Sequence, residues 1–323
     1  MSDLRSIASP QLWAISVAGL LALLAVDFVI TRRPHAVAIR EAVGWSVFYL
    51  ALPGAFGVLI WQLYGRTPAM EFFTGYVVEK SLSVDNLFVF MLLLGAFAVP
   101  PELAQRVLLY GIAGALVLRA IFIAAGAAVL QSGTWAFLLF GGVLLLTAVK
   151  VFREAMRHEE QHVDIDRMRS VRLMRRLMPV TGTYQGGRLT VLTDGRRALT
   201  PMALVVVAVF VTDLVFAVDS VPAVYGVTED PYLVFATNAF ALLGLRALYF
   251  VLHSVLEKLR HLNYGLALIL AFIGVKLVLH WAHGIWAGVP DIPTEASLAV
   301  IGVTLATVTA TSLYADRKER VVT

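Results

Sequence analysis

Nine apolar stretches, each long enough to cross a lipid bilayer as a helix, limit the folds open to this chain. A membrane-spanning helix needs about 20 predominantly apolar residues. Runs that are apolar without alternation are not barrel strands, so helices are the spanning form that remains. The sequence therefore predicts an all-α, polytopic transmembrane bundle of about nine spans. The spans cover residues 11–30, 43–64, 72–96, 105–128, 134–152, 200–224, 232–254, 262–284 and 294–315.

Composition supports a membrane protein and excludes several other classes. Hydrophobic residues make up 59% of the chain and charged residues 15%, against ~45–50% and ~25% in soluble domains. The chain has no cysteine, so disulfides, thiolate metal sites and cysteine nucleophiles are excluded. The absence of a nucleotide-binding loop argues against an ATP-driven pump. The net charge of +4 is concentrated in loops on one side, so it predicts a topology and not nucleic-acid binding.

Basic residues set the predicted orientation, because Lys and Arg mark the cytoplasmic side of a membrane protein. The loops on the opposite side carry only Arg5 and Arg66, together with several acidic residues. We therefore expect the N-terminus outside and the C-terminus in the cytoplasm, and we expect no secretory signal peptide. The residues that mark the cytoplasmic side are Arg32, Arg33, Arg40, Arg106, Lys258, Arg260, Arg317, Lys318 and Arg320, with the long basic segment over 153–200.

An acidic motif inside a predicted span is the strongest pointer to a site. Residues 79–86 read Glu-Lys-Ser-Leu-Ser-Val-Asp-Asn, and residues 213–220 read Asp-Leu-Val-Phe-Ala-Val-Asp-Ser. In each copy a carboxylate is followed six positions later by an aspartate and then by a small polar residue. Charged groups at bilayer depth cost roughly 3 kcal/mol on insertion scales, and more in simulations. Two matching copies of such a cost indicate a functional site.

Further charges fall into register when the two motifs are aligned. Each motif is followed by an arginine within an apolar helix, Arg119 and Arg246, and then by a lysine near the end of the next helix, Lys150 and Lys276. Each copy contains three spans, so the copies would cross the membrane in opposite directions. Inverted repeats with a midplane site at their interface are typical of transporters.

The repeat divides the chain into five parts. We expect peripheral spans over residues 1–71, a first repeat over 72–152, a cytoplasmic basic loop over 153–200, a second repeat over 200–284, and a last span with a cytoplasmic tail over 285–323. The basic loop contains a candidate amphipathic helix near an anionic leaflet, followed by a short hairpin over about 184–195. Its His and acidic residues over 158–166 suggest either a metal sensor or, in the simpler interpretation, a solvated helix of mixed charge.

The predicted site suits a hard cation. Four carboxylates, with two neutral oxygen donors and Asn238 as a possible additional ligand, would form a set without Cys or His, which fits Mg²⁺, Ca²⁺ or Mn²⁺. Residues six apart on a regular helix point about 120° apart and lie about 9 Å apart along it. One ion therefore meets all four carboxylates only if the helices are irregular, for which Gly75 and Pro222 are candidates. Intact helices would give stacked sites, or a ligand and a gate. The predicted metal ligands are Glu79, Asp85, Asn86, Asp213, Asp219 and Ser220.

The intramembrane cations allow two interpretations. Arg119, Lys150, Arg246 and Lys276 could pair with the carboxylates only to fix helix packing. Alternatively they balance charge or act as gates, neutralising the empty site and moving away when a cation arrives. The duplication of the whole set favours the second interpretation.

At these residues the chain resembles the TerC family, whose members are integral membrane proteins named for tellurium resistance and include Alx-type proteins. The resemblance rests on both acidic motifs, on Phe-Val-Thr-Asp over 210–213, and on the run from Thr-Asn at 237–238 to Phe250. It covers nearly the whole chain. It implies manganese export across the bacterial inner membrane, within a superfamily that includes lysine exporters. It also implies that the positions of Glu79, Asp85, Asp213 and Asp219 are critical for transport.

The leading hypothesis is a secondary transporter that exports a divalent cation, with Mn²⁺ favoured by the resemblance and Ca²⁺ or Mg²⁺ as alternatives. We expect neither an enzymatic activity nor a bound cofactor; an intramembrane enzyme built on paired aspartates would not need the duplicated cations. The alternative class is a membrane interaction protein that supplies metal to a stress-response or secretion complex. In that case the basic loop over 153–200 would dock protein partners.

Overall fold

The structure, a computed structural model, describes residues 6–30, 39–157, 165, 168–193, 196–245, 248–249, 261–286 and 288–322. Within the helices, the side chains of residues 30, 39, 84, 85, 313 and 316–322 lie outside the described set. The predicted site residues Asp85, for its side chain, and Arg246, entirely, are therefore not described. All of the His and acidic residues over 158–166 that suggested a metal sensor also lie outside the described residues.

Within the described residues the chain forms ten helices and one two-stranded sheet. The helices are α1 (Pro10–Ile30), α2 (Ile39–Tyr64), α3 (Arg66–Ala96), α4 (Pro101–Gln131), α5 (Trp135–Arg157), α6 (Arg169–Leu177), α7 (Pro201–Tyr225), α8 (Pro231–Leu243), α9 (Leu262–His283) and α10 (Thr294–Val322). The strands are β1 (Thr190–Thr193) and β2 (Arg196–Leu199).

Seven of these helices are long and apolar enough to cross a membrane: α1, α2, α4, α5, α7, α9 and α10. α8 is a shorter apolar helix. α3 has 31 residues, but every window of 18 residues within it contains at least three of Arg66, Glu71, Glu79, Lys80 and Asp85. The chain is thus an all-α polytopic membrane protein, as predicted. The count of nine spans stays a prediction, since the predicted end of the seventh span falls outside the described residues.

Proline begins several of the helices. At the first position of a helix a backbone N–H has no intrahelical partner, so proline, which lacks this N–H, is tolerated there. Pro101, Pro201 and Pro231 each occupy the first position of a helix. Ahead of Pro231, the Asp230 carboxylate caps α8 by accepting a hydrogen bond from the Tyr232 N–H at 2.8 Å. The same carboxylate accepts from the Ile7 N–H, at 2.6 Å, which ties the N-terminal segment to the start of α8.

The central helices pair in parallel across the bundle. α4 lies along α7, with Gly111 against Val209 near one end and Gly126 against Tyr225 near the other. α3 lies along α8, where Gly75 faces Thr237 and, further along, the Lys80 ammonium donates to the Ala241 carbonyl at 3.2 Å. Since α3 and α4 are joined by a short turn and run in opposite directions, α3 is antiparallel to α7.

α5 and α9 cross in an antiparallel pair with close backbone approach. A Cβ atom at Gly141 would lie 2.9 Å from the Gly274 carbonyl oxygen, and one at Gly274 would lie 3.1 Å from the Gly141 carbonyl oxygen. Small residues at such crossings let helix backbones approach in a membrane, where packing drives association. The pair is thereby locked at its centre, and Phe137 contacts His280 at one end.

Two apolar clusters divide the interior of the bundle along its length. One contains Ile123 of α4 and Val221 of α7, and the other contains Ala115 of α4 and Val209 of α7. Arg119 and Asp213 lie between these clusters on their helices. Asp213 is 12 residues from either end of α7 (213 − 201 and 225 − 213), or about 18 Å. A polar layer therefore crosses the bundle near its mid-depth.

The basic segment over 153–200 packs on the end of the bundle where α3 and α5 end and α7 begins. Val171 of α6 is fully buried, and Met168 and Tyr184 pack against the apolar cluster nearest that end. The Tyr184 hydroxyl donates to the Phe97 carbonyl at 2.8 Å, and burial raises the pKa of Tyr184 to about 12, so it stays a donor at neutral pH. β1 pairs with β2 from Thr190–Leu199 to Thr193–Arg196, so a hairpin is present as predicted, but it spans 190–199 and not 184–195.

Candidate functional site

Arg119 of α4 is the centre of the polar layer. Its Nη1 donates to Glu79 Oε1 of α3 and, at 2.8 Å, to Asn238 Oδ1 of α8. Its Nε and Nη2 donate to the two carboxylate oxygens of Asp213 on α7, at 3.4 and 3.3 Å. Four helices thus meet at one guanidinium. Arginine suits this position because its planar fork presents several donors at fixed angles.

The side chains of this layer are almost completely shielded from solvent. Glu79 is 0% exposed, and Arg119, Asp213 and Asn238 are each 1% exposed. Asn238 is oriented by its own helix, since its Nδ2 donates to the Val234 carbonyl at 2.9 Å and leaves Oδ1 for Arg119. Ionised groups buried in this way are tolerated only when they are paired and hydrogen-bonded.

Several polar atoms around this layer have no hydrogen-bond partner among the described residues. They are Glu79 Oε2, Ser83 Oγ, Asn86 Nδ2 and Ser220 Oγ. A buried polar group without a partner costs about 1–3 kcal/mol. Three of these groups lie within about two turns of α3 and the fourth lies on α7, which packs against α3. Together they indicate a place for a small polar ligand, such as a cation with its water.

The residues that carry these partnerless atoms share one face of each helix, a pattern that differs from the six-residue spacing of the motif. Glu79, Ser83 and Asn86 are spaced i, i+4, i+7 and share one buried face of α3. Asp213 and Ser220 have the same seven-residue spacing on α7. Ser83 was not among the predicted ligands, although counting in helical turns from Glu79 would have found it. Asn86, Asp213 and Ser220 were predicted and lie on these faces.

Both motif helices are continuous, which decides between the structural alternatives left open by the sequence. α3 is helical through Glu79 and Asp85, and α7 through Asp213 and Asp219. Asp85 is therefore about 9 Å along α3 from Glu79, and Asp219 is about 9 Å along α7 from Asp213. Because α3 and α7 are antiparallel and Gly75 of α3 faces Val224 of α7, Asp219 lies near the level of Glu79, and the backbone of Asp85 lies near the level of Asp213. The four acidic positions therefore occupy two levels, which the Arg119 guanidinium connects.

The two residues predicted to make the helices irregular have other roles. Gly75 lies within α3 and allows close packing, since an added Cβ atom would lie 3.1 Å from Thr237 and 3.3 Å from Val224. Pro222 lies within the last turn of α7, and the helix continues through it to Tyr225 although proline has no N–H to donate. Of the alternatives that the sequence left open, the structure excludes an interrupted helix, and stacked sites or a ligand with a gate remain.

The predicted lysines are not part of the Arg119 layer. Lys150 has a side chain that is 70% exposed, and its Nζ lies 3.9 Å from Glu154 of its own helix. Lys276 is buried but lines a pocket at the opposite end of the bundle from the basic segment. Lys80, which was not expected to be a ligand, reaches away from Glu79 to the C-terminal end of α8.

The pocket beside Lys276 has a volume of about 470 Å³, and its charged side chains are mostly acidic. Thr228 donates to Glu71 Oε2 at 2.7 Å, and His280 lies 3.5 Å from Glu229 and 3.3 Å from Asp291. Its floor includes Tyr225, which is six residues beyond Asp219 on α7. The pocket therefore opens at the end of the helix that carries Asp213 and Asp219.

The charges of the layer determine what it can bind. Two carboxylates, Glu79 and Asp213, share one guanidinium, so these three groups carry a formal charge of −1. Among the described side chains, no three of the His, Cys, Asp or Glu type lie close enough to hold a metal ion. In this arrangement Arg119 thus occupies the position between the carboxylates that a cation would need.

Comparison with known proteins places the chain among membrane proteins of one family. Residues 64–320 match the model described as the integral membrane protein TerC family. An uncharacterized membrane protein of Myxococcus xanthus is 39% identical over 318 residues, covering 98% of this chain and 96% of the relative. No solved structure matches the chain.

Two further relatives extend the comparison to other bacteria. An uncharacterized membrane protein of Mycobacterium tuberculosis is 40% identical over 320 residues, covering 96% of this chain and 81% of the relative. The Escherichia coli protein named "Putative membrane-bound redox modulator Alx" is 38% identical over 309 residues, covering 92% of each chain.

Proposed function

Because this chain belongs to the TerC family of integral membrane proteins, we propose that it is a secondary transporter that exports a divalent cation, Mn²⁺, across the bacterial inner membrane. The proposal includes no enzymatic step and no resident cofactor. The ion is the cargo, and it binds at the polar layer around Arg119.

The observation that carries this proposal is the buried pairing of Arg119 with Glu79 and Asp213. A divalent cation between the two carboxylates provides two positive charges where the guanidinium provides one. The ion would also be bound by side-chain oxygen atoms that have no hydrogen-bond partner in the present arrangement, namely Glu79 Oε2, Ser83 Oγ and Ser220 Oγ. Arg119 is then the internal counter-ion of the empty site, and binding requires that it withdraw.

The pairing of helices supports transport by alternating access. In an inverted arrangement, the first helix of one triplet runs parallel to the second helix of the other, and the two third helices are antiparallel. α3 with α8, α4 with α7, and α5 with α9 follow this scheme. We propose that α3–α5 move against α7–α9, with the Arg119 layer at the interface between them.

The remaining acidic positions fit a route through the bundle. Along α7, Asp219 lies beyond Asp213 toward the pocket lined by Glu71 and Asp291. Along α3, the backbone of Asp85 lies beyond Glu79 toward the basic segment. We propose that each aspartate binds the ion on one side of the Arg119 layer. With the N-terminus outside, the pocket faces the exterior and releases the ion.

The choice of ion has two parts. The donor set consists of carboxylate, amide and hydroxyl oxygens, which suit hard cations including Mn²⁺, Mg²⁺ and Ca²⁺. Selection of Mn²⁺ among them rests on the TerC resemblance. Proton exchange is a reasonable coupling, because a carboxylate that releases a metal ion can bind a proton instead.

Uptake of ⁵⁴Mn²⁺ into inverted membrane vesicles tests the proposal. We expect wild type to accumulate the ion, and Glu79→Gln and Asp213→Asn to lose at least most of that uptake. Lys150→Gln is the control, because the Lys150 side chain is 70% exposed and its ion pair is with Glu154 of its own helix, not with Glu79 or Asp213. Equal uptake by wild type and both acidic variants would exclude this site, and no uptake by wild type above empty vesicles would exclude Mn²⁺ export.

A second candidate function is suggested by the basic segment, which is folded onto the bundle and exposes Arg196 and Arg197. It could dock partners to which the protein supplies metal. Deleting the segment is too blunt a test, because buried residues such as Val171 and Leu199 hold it to the bundle. Arg196→Gln with Arg197→Gln should preserve uptake under the transport proposal and abolish the cellular phenotype only under the docking proposal.

The name of the Escherichia coli relative suggests redox modulation. This chain contains no cysteine, so it has no thiol–disulfide couple through which to act on cellular redox state. If a redox effect accompanies its activity, we propose that it follows from the change in cellular metal.

A further inference from the structure

Helix α6, Arg169–Leu177, divides into a basic face and an apolar face. At 100° per residue its four apolar side chains fall within one arc of about 160°, and its four arginines fall within an opposite arc of about 120°. It contains no acidic residue. The apolar set is Val171, Leu173, Met174 and Leu177, and the basic set is Arg169, Arg172, Arg175 and Arg176.

The protein covers only half of the apolar arc. Val171 is fully buried and Met174 is partly buried, whereas Leu173 is 57% exposed and Leu177 is 72% exposed. Both exposed leucines lie at the same edge of the arc. This nine-residue helix therefore contacts the bundle through one edge of its apolar arc. At the other edge, two leucines form an apolar surface that the described residues leave exposed.

The position of α6 identifies what covers this surface. The helix packs against α7 near its start at Pro201, at the end of the bundle where α3 ends and α4 begins. Tyr184 and Met168 hold the surrounding segment to the apolar cluster at that end. α6 therefore lies where membrane-spanning helices end, which is the depth of lipid headgroups.

The charge of the segment selects the kind of lipid. Residues 153–200 contain ten arginines and six acidic residues, a net charge of +4 (10 − 6). A helix with arginines on one face and leucines on the other lies in the plane of the interface, with the apolar face toward the acyl chains. Guanidinium groups at that depth contact anionic headgroups.

We propose that α6 is an interfacial anchor, which inserts Leu173 and Leu177 into the bilayer boundary while its arginines bind anionic phospholipid headgroups. The anchor fixes the basic segment, and through it the start of α7, to the membrane surface. The helix that carries Asp213 thus begins at a lipid-bound point. This proposal is independent of the proposed transport function.

Site-directed spin labelling tests the anchor, and the absence of cysteine makes the full-length chain suitable without further changes. One variant carries a label at Leu177→Cys. The control carries it at Leu192→Cys, which is 76% exposed on β1 of the same segment. Collision rates with oxygen, which partitions into lipid, and with a water-soluble nickel complex are compared in nanodiscs of phosphatidylcholine alone or mixed with phosphatidylglycerol.

We expect the ratio of oxygen to nickel collisions at residue 177 to be severalfold higher than at residue 192 in discs with phosphatidylglycerol. The ratio should fall when Arg169→Gln and Arg176→Gln are added, or when phosphatidylglycerol is omitted. Both arginines are exposed, so an unchanged Tm verifies that the variant is folded.

Three results would overturn the proposal. Equal ratios at residues 177 and 192 in phosphatidylglycerol discs would show that α6 does not enter the interface. If the ratio of oxygen to nickel collisions at residue 177 is high but does not change with lipid charge or with the arginine substitutions, α6 inserts without recognising anionic headgroups. The third result is that residue 177 is shielded from both oxygen and the nickel complex in native membranes, yet is fully accessible to water in discs. That result would show that a protein partner, and not lipid, covers Leu173 and Leu177.

Discussion

Arg119 donates to both carboxylate oxygens of Asp213, from Nε at 3.4 Å and from Nη2 at 3.3 Å, while each residue is 99% shielded from solvent. The pair joins α4 to α7 between two apolar clusters. A buried ion pair of this kind is a poor source of stability, since desolvation offsets its Coulomb energy. Its retention at the centre of a membrane bundle is better explained by a function that uses the charges.

Substitution of the central arginine should separate its structural and functional roles. Arg119→Gln leaves Glu79 and Asp213 without their cation, and removing one partner of a buried pair costs about 3–5 kcal/mol. We therefore expect a lower Tm in detergent without metal. Saturating Mn²⁺ should raise the Tm of the variant more than that of wild type, because the ion no longer has to displace a guanidinium.

Lys150→Gln is the matched control for this experiment, because it removes a cation that the sequence also predicted to balance charge but that lies exposed beside Glu154. Its Tm and its response to Mn²⁺ should equal those of wild type. A Mn²⁺-induced rise in Tm that is smaller in Arg119→Gln than in wild type would contradict the role of Arg119 as a displaceable counter-ion.

Two serines lie two positions apart on α3, and substitution by alanine should reduce Mn²⁺ uptake at only one of them. Ser81 Oγ donates to the Val77 carbonyl at 2.6 Å, whereas Ser83 Oγ is buried without a partner. Ser83→Ala removes a group that costs about 1–3 kcal/mol when unsatisfied. We expect it to raise the Tm without metal and to reduce both ⁵⁴Mn²⁺ uptake and the Mn²⁺-induced rise in Tm. Ser81→Ala should preserve uptake.

The comparison of the two serine variants also has a clear negative result. If Ser83→Ala and Ser81→Ala transport Mn²⁺ equally well, the partnerless hydroxyl of Ser83 has no part in ion binding. Measuring Tm and uptake on the same preparations keeps a folding defect from being mistaken for a transport defect.

Asn238 should be sensitive to the removal of its side-chain oxygen. Its Oδ1 accepts from Arg119 at 2.8 Å, and its Nδ2 is held by Val234. Asn238→Leu deprives a buried guanidinium of one acceptor, for which we expect a loss of about 1–3 kcal/mol of unfolding free energy. Asn238→Gln keeps an amide oxygen and an amide N–H at this position without adding a charge, and should retain more stability than Asn238→Leu, as measured by chemical unfolding in detergent. An Asn238→Gln variant that is less stable than Asn238→Leu would contradict this assignment.

The fold class and the central polar residues could be predicted from the sequence because both rest on local signals. Long apolar runs specify helices in a bilayer, and charges within such runs are rare enough to stand out. Glu79, Asp213 and Arg119 were identified in this way, and the structure brings all three together. Asn238, proposed as an additional ligand, also lies in the layer.

The arrangement within the site could not be read from the sequence, because it depends on how each helix is rotated against its neighbours. Lys150 and Lys276 occupy matching places in the sequence, yet Lys150 faces outward and Lys276 faces a pocket. The six-residue spacing likewise directed attention to Asp85 and Asp219. The buried face instead follows the helical spacing from Glu79 to Ser83, both of which are 0% exposed.

The crossing of α5 and α9 offers a test of the fold that is independent of the ion site. Gly141 and Gly142 are adjacent, but an added Cβ atom at Gly141 would lie 2.9 Å from both the Gly274 carbonyl oxygen and Val278, whereas one at Gly142 would meet nothing within 4 Å. Gly141→Ala must therefore push the two backbones apart, and overpacking of this kind costs about 1–3 kcal/mol. Gly142→Ala should be neutral or slightly stabilising, because alanine favours the helix by roughly 1 kcal/mol over glycine. Thermal unfolding of both variants in the same detergent checks the difference, and equal Tm values would mean that α5 and α9 do not cross at Gly141.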